Sequence, residues 1–440
     1  MKRTISKRLH QWKNKKNRKP LILTGIRQCG KTYVLKEFGE EEFSHVAYFV
    51  FENNSRLCSV FESDFDTNRI LGELEILYGA SIHPGETLLI FDEIQACPKA
   101  ITSLKYFCEE QSDLHVVAAG SLLGVELGKT RASFPVGKVE RMDMYPMSFY
   151  EFLMATGYEK LLERLQEEFD GGEIKELYTE PLERELRNYY YVGGMPEVVA
   201  SWVSNHSIEE VDELQNNLLD GYERDFSKYA PAKDVLKLRL LYGSVPQQLA
   251  KENNKFVFSH VKESYRAKDL EASLSWLFDA GLVYKLCKTE EASLPLTMYM
   301  DDSYYKIYMS DVGLLRCRTG IPYEELLNWR GKSAYSKFRG ALTENFVMTE
   351  LINEGFKPAF WRSGNSSEVD FLIEDKGRII PIEAKAEIST KAQSYRVFCK
   401  KYKPDMGFRI SMKNAGINQV EEVKTISLPL YMIWDIKHFL

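Results

Sequence analysis

The chain has 440 residues, enough for two or three domains of ordinary size. Apolar residues make up 44% and charged residues 28%, which suits folded cores and excludes a chain kept disordered by low hydrophobicity and high net charge. The 58 basic and 64 acidic side chains leave a net charge of −6, which excludes a uniformly basic, histone-like binder but not a local anion-binding surface.

Residues 1–20 form a basic N-terminal arm with nine cations (Lys2, Arg3, Lys7, Arg8, Lys13, Lys15, Lys16, Arg18, Lys19) and no acid, so the remainder carries −15. Such a run is either a solvated helical arm or a contact for phosphates or a partner, and the sequence leaves both open. The seven cysteines form no CxxC pair, and the histidines lack metal-ligand spacing. No stretch approaches the roughly 18 apolar residues of a membrane span, and the N-terminal charges precede no apolar segment of a signal peptide. These features predict a cytoplasmic protein with free thiols and no membrane contact.

From 21 to about 121 the pattern is α/β. LILTG (21–25), HVAYFVF (45–51), TLLIFDE (87–93) and HVVAAGS (115–121) are short apolar runs, separated by amphipathic helical segments. Runs without alternation suit strands of a parallel sheet covered on both faces.

The first run leads into Gly25-Ile26-Arg27-Gln28-Cys29-Gly30-Lys31-Thr32, a complete G-x4-G-K-T. The glycines let successive backbone N–H groups turn inward around an anion, and the following helix adds its positive end. Lys31 would reach the β- and γ-phosphates of ATP, and the Thr32 hydroxyl would ligate Mg²⁺. Gly128-Lys129-Thr130 imitates the motif but lacks both its first glycine and a preceding strand. The apolar run 88–91 ends in Asp92-Glu93. Asp92 is expected in the Mg²⁺ shell opposite Thr32, and Glu93 is placed to polarise an attacking water. Ser121, ending the next run, would either orient that water or cap a helix.

Loop, acid pair and the string Tyr145-Pro146-Met147-Ser148-Phe149-Tyr150-Glu151-Phe152 resemble the large prokaryotic family of predicted AAA-type ATPases whose C-terminal half is a domain of unknown function. The resemblance covers nearly the whole chain. It implies that Gly194-Met195-Pro196 lies near the adenine, with Pro196 against the base. Where relatives often have Gly-Arg, this chain has Gly137-Lys138, so no arginine finger is assigned there; Arg131 and Arg141 are the nearby alternatives.

Residues 233–251 read as a helix, followed by a short one near 259–263 and by KDLEASLSWLFDAGLVYKL, where Leu270, Leu274 and Leu277 share a helical face. With 282–287 and 306–311 as a hairpin, this suggests a winged helix, as the resemblance also implies. Lys262, Arg266 and Lys268 would face phosphates, or the module would simply pack between domains.

Residues 331–440 hold 17 basic and 13 acidic side chains. A two-residue turn at Lys376-Gly377 would set Asp370 opposite Glu383 and Glu368 opposite Lys385, all on one face of a hairpin. Facing carboxylates repel unless a cation lies between them. With Glu344 on the preceding helix, this is the D…E-x-K pattern of restriction-nuclease-like folds, expected to hold Mg²⁺ through Asp370, Glu383 and Glu344 for phosphodiester cleavage, with Lys385 assisting.

The expected architecture is therefore α/β. A P-loop AAA-type ATPase domain with a helical extension (21–225) precedes a winged-helix segment (226–325) and a PD-(D/E)xK nuclease-like domain (326–440). The expected function is ATP binding, with Mg-dependent hydrolysis driving a switch or motor, and a C-terminal half that contacts nucleic acid. The alternative is a nucleotide-dependent signalling protein that binds protein partners on an inactive nuclease-like scaffold. Oligomeric state is left open.

Overall fold

The computed structural model describes residues 1–121, 125, 134–251, 255–329, 335–364, 367–387 and 392–440. Arg131 and the 128–130 imitation motif lie outside the described residues. The chain forms two compact units: Met1–Tyr145 with Asp279–Leu282, and Pro146–Phe278 with Val283–Leu440. Among the described residues no helix is long and apolar enough to cross a membrane.

The first unit holds α1 (Ile5–Lys13), β1 (Leu21–Gly25), α2 (Lys31–Glu42), β2 (His45–Val50), α3 (Ser55–Ser59), α4 (Thr67–Tyr78), β3 (Thr87–Asp92), α5 (Pro98–Glu110), β4 (His115–Gly120) and β5 (Glu140–Met144). The sheet order is β2-β3-β4-β1-β5, and every pairing is parallel. Strands β3 and β4 are buried throughout, as unbroken apolar runs require when helices cover both faces. β5 escaped the sequence reading because ERMDM is an edge strand whose polar residues hide the apolar signal. On one face Phe51, Phe61 and Phe91 pack edge-on or tilted, with centroids 5.5–5.8 Å apart. The β1-to-α2 connection thus emerges at the C-terminal edge of a central strand, where parallel sheets bind ligands.

The basic arm is folded against this unit. α1 buries Ile5, Leu9 and Trp12. Five of the nine cations bond within the unit: Arg3 to the Cys29 and Tyr145 carbonyls, Lys13 to Glu42, Lys15 to Glu140, Arg18 to carbonyls 112–114, and Lys19 to the Gly137 carbonyl. Much of the charge that stands out in the sequence therefore serves internal bonding.

The second unit begins with α6 (Phe149–Ala155), α7 (Glu159–Glu168), α8 (Glu176–Val192), α9 (Pro196–Asn205), α10 (Ile208–Tyr229), α11 (Val235–Leu249) and α12 (Ala267–Asp279). β6 (Val283–Thr289), β7 (Met300–Met309), α13 (Val312–Thr319), α14 (Tyr323–Leu327), α15 (Ser336–Asn353), β8 (Ala359–Ser363), β9 (Ser367–Asp375), β10 (Arg378–Ala384), α16 (Gln393–Tyr402), β11 (Met406–Ser411), β12 (Gly416–Val420) and β13 (Val423–Pro429) follow. Leu270, Leu274 and Leu277 are buried on α12, as their spacing predicts.

One eight-stranded sheet, ordered β12-β13-β11-β10-β9-β8-β6-β7, runs through this unit. The β6–β7 hairpin, read from sequence as a wing, joins the sheet through parallel pairing of β6 with β8. β9 and β10 pair from Arg378 with Asp375 to Ile382 with Phe371, which is the register the sequence implies. Lys376 (φ 46°) and Gly377 (φ 72°) make the turn, both at positive φ as a two-residue hairpin of matching twist requires.

Candidate functional site

The phosphate loop is shaped by close backbone approach. Gly25 adopts φ 157°, and a Cβ there would lie 2.2 Å from the Met144 carbonyl oxygen of β5. Gly30 (φ 95°) starts α2 in the left-handed region without a side-chain cap, leaving the helix's first N–H groups to an anion. Gln28, also at positive φ (66°), is the exposed tip. Ile26, Arg27 and Cys29 complete the loop, with Cys29 buried under the Arg3 guanidinium, 2.9 Å from its carbonyl oxygen. Lys31 is 6% exposed, and its Nζ lies 2.9 Å from the carbonyl oxygens of Gly25 and Ile26, so its charge is held within the loop's own curve.

Asp92 ends β3, 5% exposed. Its Oδ2 accepts from the Thr32 hydroxyl at 2.7 Å and from the Tyr48 hydroxyl at 2.7 Å, and its Oδ1 accepts from the Glu93 amide at 3.0 Å. Burial, and next the hydrogen bond to Asp92, hold the Tyr48 phenol well above its ordinary pKa, so it remains a donor. Glu93 sits at φ 51°, an uncommon conformation for a side-chain-bearing residue. Its carboxylate accepts from the Gln95 amide and from the Ser121 hydroxyl, the latter at 3.4 Å. Sequence reasoning found Thr32, Asp92, Glu93 and Ser121 but missed Tyr48 and Gln95. The available signal for Tyr48 was a polar tip inside an otherwise apolar strand. Arg141 lies on β5, where it bonds Asp143 and Thr24.

In the second unit, Gly193 and Gly194 are explained by packing. A Cβ on Gly194 would fall 2.0 Å from the Met147 carbonyl oxygen, and one on Gly193 would fall 2.3 Å from Asp311 Oδ1. The Gly194 amide donates to Asp311 at 2.6 Å, and Asp311 also caps α13 through the Leu314 amide. Pro196 opens α9, where a missing N–H leaves no helical bond unmade.

The hairpin brings Asp370, Glu383 and Lys385 together. Lys385 Nζ lies 3.1 Å from Asp370 Oδ2 and 2.8 Å from Glu383 Oε1, and the Ala384 amide donates to Asp370 at 2.8 Å. Among the described residues, the buried Glu383 Oε2 has no hydrogen-bond partner. Burial, and next the Asp370 charge, raise the Glu383 carboxyl to about 8. Glu344 accepts from the Tyr308 hydroxyl at 2.9 Å and faces Lys306 at 3.5 Å. Lys306, 2% exposed, also binds Glu368 at 2.7 Å. Burial opposes its charge, but Glu344, Glu368 and Asp370 outweigh that and keep the ammonium protonated. Among the described residues no three His, Cys, Asp or Glu side chains converge as a cation-holding group.

Comparison with known proteins gives three family matches. Residues 17–153 match an AAA domain, 183–325 a domain of unknown function (DUF8612), and 339–431 another domain of unknown function (DUF4143). The chain is 23% identical over 365 residues to an uncharacterized protein of Methanocaldococcus jannaschii, covering 80% of this chain and 71% of that one. Among solved structures it is similar to the Walker-type ATPase of Pyrococcus abyssi, at 15% identity and a TM-score of 0.43 over 71% of this chain and 94% of that one. It is also similar to the ORC2 protein of Aeropyrum pernix in its ADPNP-ADP complexes, at 12% identity and a TM-score of 0.37 over 74% and 92% of the two chains. Residues 17–153, in the N-terminal unit for the most part, are thus an AAA domain, and domains of unknown function follow it.

Proposed function

We propose that this chain binds Mg-ATP and hydrolyses it as a switch or motor, and that its C-terminal half contacts nucleic acid. The observation that supports the nucleotide reading is the Thr32–Asp92 hydrogen bond, made between residues 60 apart in sequence. A hydroxyl at the foot of a phosphate loop meets a buried carboxylate there, and hard oxygens of this kind suit Mg²⁺. Bound between them and the triphosphate, the ion would supply positive charge to the β- and γ-phosphate oxygens. The loop amides and Lys31 would bind the phosphates. Glu93 would take the proton of the attacking water while Ser121 and Gln95 hold its carboxylate in place.

Calorimetric titration of the full chain with ATP and Mg²⁺ tests this reading. Binding is expected, with affinity reduced about 10–100-fold in Lys31→Ala, the loss of one charge-assisted phosphate contact. A flat trace for the unaltered chain, or undiminished affinity in the variant, would overturn it.

For the C-terminal half, the reading rests on the facing Asp370 and Glu383 with Lys385 beside them. The unpartnered Glu383 Oε2 and its neighbouring carboxylate suit a divalent cation, and Lys385 would stabilise charge on a phosphodiester. The winged-helix reading of 226–325, which rests on sequence pattern and resemblance, would add a further nucleic-acid contact. Incubation with Mn²⁺ or Mg²⁺ and mixed DNA and RNA should give cleavage that Asp370→Asn abolishes. Intact substrates with the unaltered protein, or cleavage that survives in the variant, would remove this second activity.

A further inference from the structure

The Asp92 carboxylate is held by more than the phosphate loop. Tyr48 reaches it from β2, whose register sets Val50 beside Asp92 and Tyr48 beside Ile90. The Tyr48 hydroxyl donates to the same oxygen, Oδ2, that Thr32 uses, both at 2.7 Å. With the Glu93 amide on Oδ1 at 3.0 Å, three donors converge on one nearly buried carboxylate. A carboxylate offers about four lone-pair positions, so three fixed donors define both its rotamer and its plane. Two of them pull on the oxygen nearest the phosphate loop. The Lys36 ammonium lies 3.9 Å from the Tyr48 ring centroid and meets the ring face, not the hydroxyl's bond to Asp92.

We propose that Tyr48 is a positioning residue for magnesium, orienting Asp92 so that the Thr32 hydroxyl gives its hydrogen to the carboxylate and keeps its lone pairs toward the ion. The inference rests on the Mg-nucleotide reading of this site. Thr32 can serve as a cation ligand only while its hydrogen has an acceptor on the far side. The acceptor's placement depends on a second donor that the loop itself does not contain. Without the Tyr48 hydroxyl, Asp92 keeps only Thr32 on Oδ2 and the Glu93 amide on Oδ1, so its rotamer is held by two donors instead of three. The ATP phosphates would still meet the loop amides and Lys31, neither of which touches Tyr48 in this arrangement.

This separates metal-dependent from metal-independent affinity, which a purely structural role would not do. Nucleotide titrations by calorimetry, in Mg²⁺ and in EDTA, give for each protein the factor by which Mg²⁺ strengthens binding. In Tyr48→Phe that factor should fall about tenfold, the usual worth of one charge-assisted hydrogen bond, while affinity in EDTA stays within twofold. Lys36→Ala retains the hydroxyl and should keep the full Mg²⁺ factor. In the Asp92→Asn background, Tyr48→Phe should cost nothing further, since the group it positions has already gone. An undiminished factor in Tyr48→Phe, an equal loss in both buffers, or a full additional loss in the Asp92→Asn background overturns the inference and leaves the nucleotide reading intact. No binding by the unaltered chain in either buffer removes both.

Discussion

Replacing Glu93 with Gln should leave ATP bound and stop its hydrolysis. Glutamine keeps the shape of the side chain and one acceptor oxygen, so the Ser121 contact can persist, and the backbone at φ 51° is asked for nothing new. What disappears is the capacity to accept a proton. General-base catalysis of this kind contributes on the order of 10²–10⁴-fold, so phosphate release should fall by that factor while ATP affinity changes by no more than a few-fold. Steady-state phosphate release and calorimetry on the same preparation separate the two quantities. Turnover within threefold of the unaltered chain would dismiss Glu93 as the base and leave only the binding reading. The expected pattern differs from that of Lys31→Ala, which would lose affinity first because Lys31 would meet the phosphates before any bond breaks.

Both residues were legible in the sequence because their signal is local. The phosphate loop is eight consecutive residues between a strand and a helix, and Asp92-Glu93 closes an unbroken apolar run. The β9–β10 register was legible for the same reason: a two-residue turn at Lys376-Gly377 fixes every pair beyond it. Where neighbours are set by strand order, the sequence is mute. Tyr48 meets Asp92 only because β2 lies beside β3. Glu344 reads from sequence as a third acid for the Asp370 pair, but its bonds to Lys306 and Tyr308 were not legible there. Those two come from β7, which reaches this sheet through the unforeseen β6–β8 pairing. Nothing in the sequence around Gly193 and Gly194 announces Asp311 and Met147, which approach them from 118 and 47 positions away along the chain. The chemistry-bearing residue types could be read from the chain, but their pairing required the fold.

The second unit should lose stability as pH rises from about 4.5 to about 8, and Glu350 should be a principal cause. Its carboxyl is 1% exposed on α15 and accepts from the Phe149 amide at 2.9 Å, capping α6 beside the Ser148–Glu151 capping box. Burial is the largest influence on it, and the charges of Glu354 and Glu151 act in the same direction. The Phe149 hydrogen bond opposes them, and the carboxyl is raised from 4.5 to about 8. The folded state therefore retains a proton in this window that the unfolded state has released. Unfolding free energy falls wherever the folded state binds more protons, so the loss starts near the unfolded value of 4.5 and is complete above about 8. A displacement of this size corresponds to a ceiling of about 5 kcal/mol, relieved in part by hydration of the ionised group. Glu383, also raised to about 8, acts with the same sign, as do Asp311 and Asp435, each raised to about 6. The diagnostic is therefore the difference between proteins. In Glu350→Gln the amide oxygen still caps Phe149, and no proton is exchanged. Denaturant melts at pH 5 and pH 8.5 should show that this variant loses less stability across the interval than the unaltered chain, by about 2–4 kcal/mol. Parallel losses in the two proteins would mean that Glu350 is ionised in the folded state throughout, and the capping carboxylate would then have to be reached by water.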